Sequence, residues 1–169
     1  MRLNHAVLYV RDVSRSVAFY RDLLGFTVIG DMEGLPGAAF LRAPGSTNDH
    51  DLGLFQIGPE ARPSGAGQST VGLYHLAWEV DTLAELARLA DALSTAGALI
   101  GASDHSSTKS LYARDPDGLE LEIAWVVPAD RIDAELVANK RRIRPLDLDA
   151  ERRRYGDTTQ GGVGISSPA

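Results

Sequence analysis

Two hydrophobic periods alternate along this chain, and they alternate twice. Residues 3–10 (LNHAVLYV) are rich in β-branched and aromatic side chains and close on Arg11-Asp12, which predicts a strand. In VSRSVAFYRDLLGF, Val13, Val17, Tyr20 and Leu24 recur at helical spacing; Asp12 or Ser14 can cap the start and Gly25 supplies the stop. Short extended pieces follow at 26–30, 37–43 and 51–57, separated by loops rich in Gly, Pro, Asn and Asp. Residues 58–70 (GPEARPSGAGQST) carry no apolar period and read as a connector. The pattern then restarts. Residues 72–80 (GLYHLAWEV) predict a strand, and 82–96 a helix with Leu83, Leu86, Ala90 and Leu93 on one face and Gly97 after its end. Residues 98–101, about 108–114 and 119–126 read as three more strands, the last two joined by the turn Asp115-Pro116-Asp117-Gly118.

Each half is thus strand, helix, three strands, and the halves align on HAVLYV and HLAWEV as a repeat of about 70 residues. Neither half is large enough to bury a good core alone. The expectation is α+β: two βαβββ modules, about 1–60 and about 71–127, pairing into one eight-stranded, cup-shaped mixed sheet with helices outside. Residues 1–127 would form this single domain. Residues 128–169 are charged and poor in large apolar side chains; they read as a C-terminal extension over the surface of the chain or of a partner, with the last ten residues mobile.

Composition narrows the chemistry. The chain has 169 residues, a net charge of −6 and no cysteine. Disulfides, thiolate-bound zinc, iron–sulfur clusters and thiol nucleophiles are excluded together. The acidic balance argues against a nucleic-acid partner, and the basic runs KRRIR and ERRRY read as solvated or acid-paired faces. No apolar run approaches the ~18–20 residues of a membrane span, and the first residues lack the layout of a secretory signal. The expected location is cytoplasmic, with no membrane partner. Any metal must be held by carboxylates and by some of four histidines.

Side chains alternate across strands, and two strands place polar groups opposite an apolar face. His75, Ala77 and Glu79 share one face, with Tyr74, Leu76, Trp78 and Val80 on the other. Glu120, Glu122 and Ala124 likewise oppose Leu121, Ile123 and Trp125, so Trp78 and Trp125 are expected under helices. In the first strand His5 shares a face with Val7 and Tyr9. An imidazole or carboxylate facing inward is costly unless paired or metal-bound. His5, His75 and either Glu120 or Glu122 could therefore supply two imidazoles and one carboxylate to a divalent ion, leaving positions open for substrate and O2 or water.

These residues resemble the vicinal oxygen chelate superfamily, which contains the glyoxalases, bleomycin-resistance proteins and extradiol dioxygenases. The resemblance covers roughly residues 3–127 and is carried by LNHAVLYVRDVSRSVAFYRDLLGF, LYHLAWEV and SLYARDPDGLELEIAW. The pattern looks most like the one-domain type I extradiol, or catechol 2,3-dioxygenase-like, branch. The resemblance implies a metal triad of His5, His75 and Glu122. Glu122 is preferred over Glu120 by the family's spacing of four residues after the turn glycine, here Gly118. It further implies Tyr112, ten residues before Glu122, and His105 as hydrogen-bond donors to bound substrate, and His50, in HDLGL, as the group that moves protons at the O2 side. The implied cofactor is Fe(II), with Mn(II) also suited to these ligands. The implied partners are a small aromatic diol, O2 and a second copy of the chain in a homodimer.

Other activities share the fold. Fosfomycin-resistance transferases use a similar His, His, Glu order with basic residues for a phosphonate, for which Lys109 and Arg131 are candidates here. Glyoxalase-like isomerases or lyases usually place a carboxylate on strand four, where Gln56 is the nearest residue. Metal-free binding proteins of the bleomycin-resistance type lack a complete triad.

Overall fold

The computed structural model describes residues 3–30 and 34–162. Its α+β class and module order follow the sequence pattern. The elements run β1 (Ala6–Val10), α1 (Val13–Ala18), β2 (Thr27–Val28), β3 (Ala38–Arg42), β4 (Leu52–Gln56), β5 (His75–Glu79), α2 (Leu83–Thr95), β6 (Leu99–Asp104), β7 (Thr108–Arg114), β8 (Glu120–Val126), α3 (Ala134–Asn139), β9 (Arg144–Pro145) and α4 (Leu148–Tyr155). The described strands form two mixed sheets, β1-β4-β3-β2 and β5-β8-β7-β6-β9. In each, the first and last strands of the module are parallel neighbours and the others antiparallel.

Two compact units result. The first contains residues 1–70 together with Asp115–Leu119; the second contains Val71–Arg114 and the chain from Glu120 onward. In the first unit Asp12 caps α1, its carboxylate accepting from Arg15 N at 3.0 Å. A π-helical turn over Phe19–Leu23 continues α1. Tyr20 and Leu24 are buried as expected, but Ser16 takes the third buried position, and Val13 and Val17 are half-buried. Leu8, Val10, Leu41, Leu52 and Leu54 supply the sheet side of this core.

The turn Asp115-Pro116-Asp117-Gly118 completes the first unit. Gly118 adopts φ +84°, a left-handed conformation that its missing Cβ makes available. Asp115 Oδ1 accepts from Asp117 N and Leu119 N at 2.8 and 2.9 Å. Asp117 binds Arg11 through both its backbone N–H and its guanidinium, at 2.9 and 3.0 Å. Burial raises the Asp115 carboxyl above its ordinary value. The buried Tyr20 hydroxyl is held well above its own, first by burial and then by the charge of Asp115.

In the second unit Thr82 caps α2, and Leu83, Leu86, Leu89 and Leu93 are its buried stripe. Leu89 takes the place expected of Ala90, which is half-buried. Leu111, Leu121, Ile123 and Trp125 are buried on the sheet. Tyr74 departs from expectation: it lies before β5 and is 75% exposed, so the packed face of β5 begins at Leu76.

The region after residue 128 is more ordered than its composition suggests. Within the second unit α3 is anchored through Leu136 and α4 through Tyr155, both buried, and β9 pairs with β6. Tyr155 packs on Trp125 with ring centroids 5.4 Å apart. The basic run before it is acid-paired: Arg152 bridges to Asp157 and Asp149, and Arg154 to Asp133 and Glu135. Of the last ten residues, 163–169 lie outside the described ones; Gly161 N and Gly162 N are hydrogen-bonded to Asp81 O and Val126 O. Among the described residues, no helix is long and apolar enough to cross a membrane.

Candidate metal centre

The second unit gathers four of the six expected site residues in a row. β5 and β8 are parallel, with Ala77 opposite Glu122 and His75 opposite Glu120. β7 lies on the other side of β8, with Tyr112 opposite Glu122. The period of two therefore aims His75, Glu122, Tyr112 and Ser110 at one face. His75 Nε2 lies 3.1 Å from Glu122 Oε2. Glu122 Oε1 accepts a 2.6 Å hydrogen bond from Ser110 Oγ and a longer one, 3.5 Å, from the Tyr112 hydroxyl. The Tyr112 oxygen in turn meets His105 Nε2 at 2.9 Å. Burial, and then the Glu122 charge, raise the Tyr112 hydroxyl above its ordinary value, so it keeps its proton as a donor.

The two strand-eight glutamates have different environments. Glu120 is paired with Arg114 at 3.0 Å, whereas among the described residues Glu122 is paired with His75. Facing alone left both open; their neighbours separate them. Ser110 was not singled out from the sequence. Its signal was present, since it stands two positions before Tyr112 and so shares its face.

The first unit holds the other two residues. His5 lies just before β1 and is exposed; its Nδ1 is 2.7 Å from Asn4 Oδ1, a contact that an Nδ1–H donates, leaving Nε2 as the acceptor nitrogen. His50 lies two residues before β4 rather than on it. Its ring centroid is 4.6 Å from that of His5 and 4.9 Å from that of Phe40. Asp49 binds its Nδ1 at 3.0 Å. Asp51, which follows, is tied to Ala43 N, Ser46 and Asn48, fixing the loop that presents His50.

The donor set fits a divalent ion. Two ligands at about 2.1 Å from one metal and at right angles to each other are about 3 Å apart, which is the His75–Glu122 spacing of 3.1 Å. His50 Nε2 is buried without a hydrogen-bond partner, and so is His75 Nδ1, the nitrogen that does not meet Glu122. A partner on the far nitrogen, as Asn4 provides for His5, is the usual way of orienting a ligating imidazole. Among the described residues, no three His, Asp or Glu side chains are gathered around one point. Of the three expected ligands, His75 and Glu122 lie side by side. Lys109, a candidate for holding a phosphonate, is unavailable: it is 1% exposed and bound to Asp104 and Glu151.

Comparison with known proteins bears on the family and the fold. The chain is similar to a catechol-2,3-dioxygenase of Bacillus subtilis, 31% identical over 124 residues, which are 72% of this chain and 40% of that one. It is similar to a metapyrocatechase 2 of Cupriavidus necator, 30% identical over 96 residues, which are 57% of this chain and 26% of that one. The chain therefore matches less than half the length of either relative. Among solved structures, a glyoxalase/dioxygenase from Nostoc punctiforme superposes with a TM-score of 0.60 at 24% identity, covering 73% of this chain and 89% of that one, a likeness of fold. The profile of the Glyoxalase/Bleomycin resistance protein/Dioxygenase superfamily matches residues 2–123, and with its two βαβββ modules the chain belongs to that superfamily.

Proposed function

We propose that this protein is a metal-dependent extradiol dioxygenase that opens a catechol-type aromatic diol with O2, with residues 1–127 as its catalytic domain. The observation that carries the reading is the row His75, Glu122 and Tyr112 on one sheet face, with His105 meeting the Tyr112 hydroxyl from the β6–β7 turn: two candidate metal ligands followed by two proton-bearing groups. The names of the two curated relatives point the same way.

In this reading His5 is the third ligand, brought beside His75 and Glu122 when a first module pairs with a second. Fe(II), or Mn(II) in its place, would be held by these three residues and would supply Lewis acidity and one-electron chemistry toward the diol and O2. Ser110 holds the Glu122 carboxylate in one orientation. Tyr112 donates its hydroxyl proton to an oxygen of the bound diol, and His105 steadies that hydroxyl through Nε2. His50, with Nδ1 held by Asp49, has Nε2 free to give or take a proton on the O2 side. The sheet face keeps both reactants in fixed relation, which removes much of the entropic cost of their encounter. The reading includes a homodimer, supported by exposed Val7 and Tyr9 on the His5 face of β1.

The burial of Lys109 weakens the transferase alternative, since the phosphonate would lose that cation. The test is direct. Protein reconstituted anaerobically with Fe(II) is given a catechol and then air. Ring cleavage appears as a yellow chromophore, and metal content falls in His75→Ala and Glu122→Ala. Metal bound without any ring cleavage moves the activity to a transferase or isomerase; no metal bound moves it to a binding protein. Mass in solution reads the dimer.

A further inference from the structure

His105 stands in the connection between β6 and β7, where its own N–H closes the turn on Thr108 O at 2.9 Å. The next residue, Ser106, has φ +71°, the only positive φ of a non-glycine residue among those described. Serine does not adopt this conformation unaided. Here it is over-determined. Ser106 N donates to Asp104 Oδ1 at 2.7 Å, and Ser106 Oγ, buried, donates to Leu136 O of α3 at 2.6 Å.

The same Asp104 oxygen accepts from Lys109 Nζ at 2.6 Å. Lys109 is odd-numbered on β7, opposite in facing to Ser110 and Tyr112, so its ammonium lies on the far side of the sheet from the candidate metal ligands. It is 1% exposed, and its second partner is Glu151 of α4 at 3.1 Å. β9 adds a third hold, pairing Pro145 with Ser103 and Arg144 with Asp104. The turn that carries His105 is therefore gripped from residues 128–157 at three separate places: the α3 carbonyl, the β9 backbone and the α4 carboxylate. A buried ammonium between two carboxylates is a poor source of net stability but a strict one of geometry, because only one arrangement satisfies it.

We propose that the C-terminal segment is the positioning element for His105: Lys109 held by Glu151, and Ser106 held by Leu136, set the turn so that His105 Nε2 meets the Tyr112 hydroxyl. Lys109, Ser106 and Glu151 are positioning residues that touch no substrate. The consequence for catalysis rests on the role given to His105 above; the positioning itself does not.

The test uses the full-length chain with labelled histidine. Four ring signals are expected, and His105→Gln identifies one by its loss. In Glu151→Gln and in Ser106→Gly the His105 ring 15N and 13C signals shift, while those of His5, His50 and His75 stay and bound Fe(II) is unchanged. Ring-cleavage kcat falls about tenfold with KM held, and the Glu151→Gln effect disappears in a His105→Gln background, as it must if the two act in series. Lys109→Met is read in the same way if it folds; the other two variants decide without it. Unchanged His105 signals in folded Glu151→Gln and Ser106→Gly overturn the proposal, as does an effect on kcat that adds fully to His105→Gln. Should the wild type cleave no catechol, the dioxygenase reading fails alone, because the ring signals still read the positioning.

Discussion

The two modules are built on one register and carry different chemistry. Aligning His5 with His75 places Leu52 with Leu121 through the parallel pairings Ala6–Leu52 and Leu76–Leu121. Gly53 then corresponds to Glu122. The antiparallel pairings Phe40–Gly53 and Tyr112–Glu122 make Phe40 the counterpart of Tyr112, and Ala38 that of Ser110. Where the second module has Glu, Tyr and Ser, the first has Gly, Phe and Ala. Phe40 lies against Gly53: a Cβ there would meet the Phe40 ring and Val7 at 3.4 Å. One copy of the repeat thus concentrates charge and protons. The other keeps a histidine and fills the remaining positions with hydrocarbon. A duplicated scaffold can be specialised at three strand positions without altering its hydrogen-bond ladder.

The sharpest way to break this comparison is to move the acid. Glu122→Gln should lower divalent-metal affinity by at least roughly 100-fold, read by elemental analysis after dialysis. Gly53→Glu should not restore it; a carboxylate between Phe40 and Val7 should instead cost about 2–4 kcal/mol in urea unfolding. If Gly53→Glu rescues metal binding, the asymmetry has been misassigned.

The buried cation of the second module comes next. Lys109→Met leaves Asp104 and Glu151 facing each other without their shared partner and should cost about 3–5 kcal/mol. Removing both carboxylates as well, with Asp104→Asn and Glu151→Gln, should recover much of this loss.

Smaller than either is Ser110→Ala, which frees Glu122 Oε1 from its 2.6 Å hydrogen bond. Metal affinity should fall about tenfold. The matching change in the other module, Ala38→Ser, should be neutral within about 0.5 kcal/mol.

The smallest effect is a pH dependence in the first unit. Burial raises the Asp115 carboxyl, so the folded chain binds that proton more tightly than the unfolded chain. Its contribution to stability is full below the ordinary carboxylate value and is lost as pH rises through the folded value. Asp115→Asn should therefore raise the urea midpoint relative to wild type near pH 7, with the gain shrinking toward about pH 4.

The repeat, the order of its elements and the residue types of the site were legible because they depend on short periods. Alternation placed His75 and Glu122 on a common face, and Asp-Pro-Asp-Gly marked its turn. Three kinds of feature were not legible. The π-helical turn at Phe19–Leu23 has no local signal, and neither does the burial of Ser16 in place of Val13 and Val17. Glu120 and Glu122 have the same facing, and only their side-chain partners, Arg114 for Glu120 and His75 for Glu122, tell them apart. The C-terminal segment looked like a polar appendage because its anchors, Leu136, Tyr155 and Glu151, are single residues far apart, and the most important of them binds a lysine. Composition averages over such points of attachment.

The five-residue turn Asp115–Leu119 belongs to the first unit although the strands it joins belong to the second. A gene severed at the connector 58–70 would give a first fragment in which Arg11 has lost the carboxylate it binds and Tyr20 the acid beside it. Cutting at the connector therefore does not yield two self-sufficient halves, since the turn that completes the first unit lies in the sequence of the second. Complementation between separately expressed halves would have to return that borrowed loop before either could be whole.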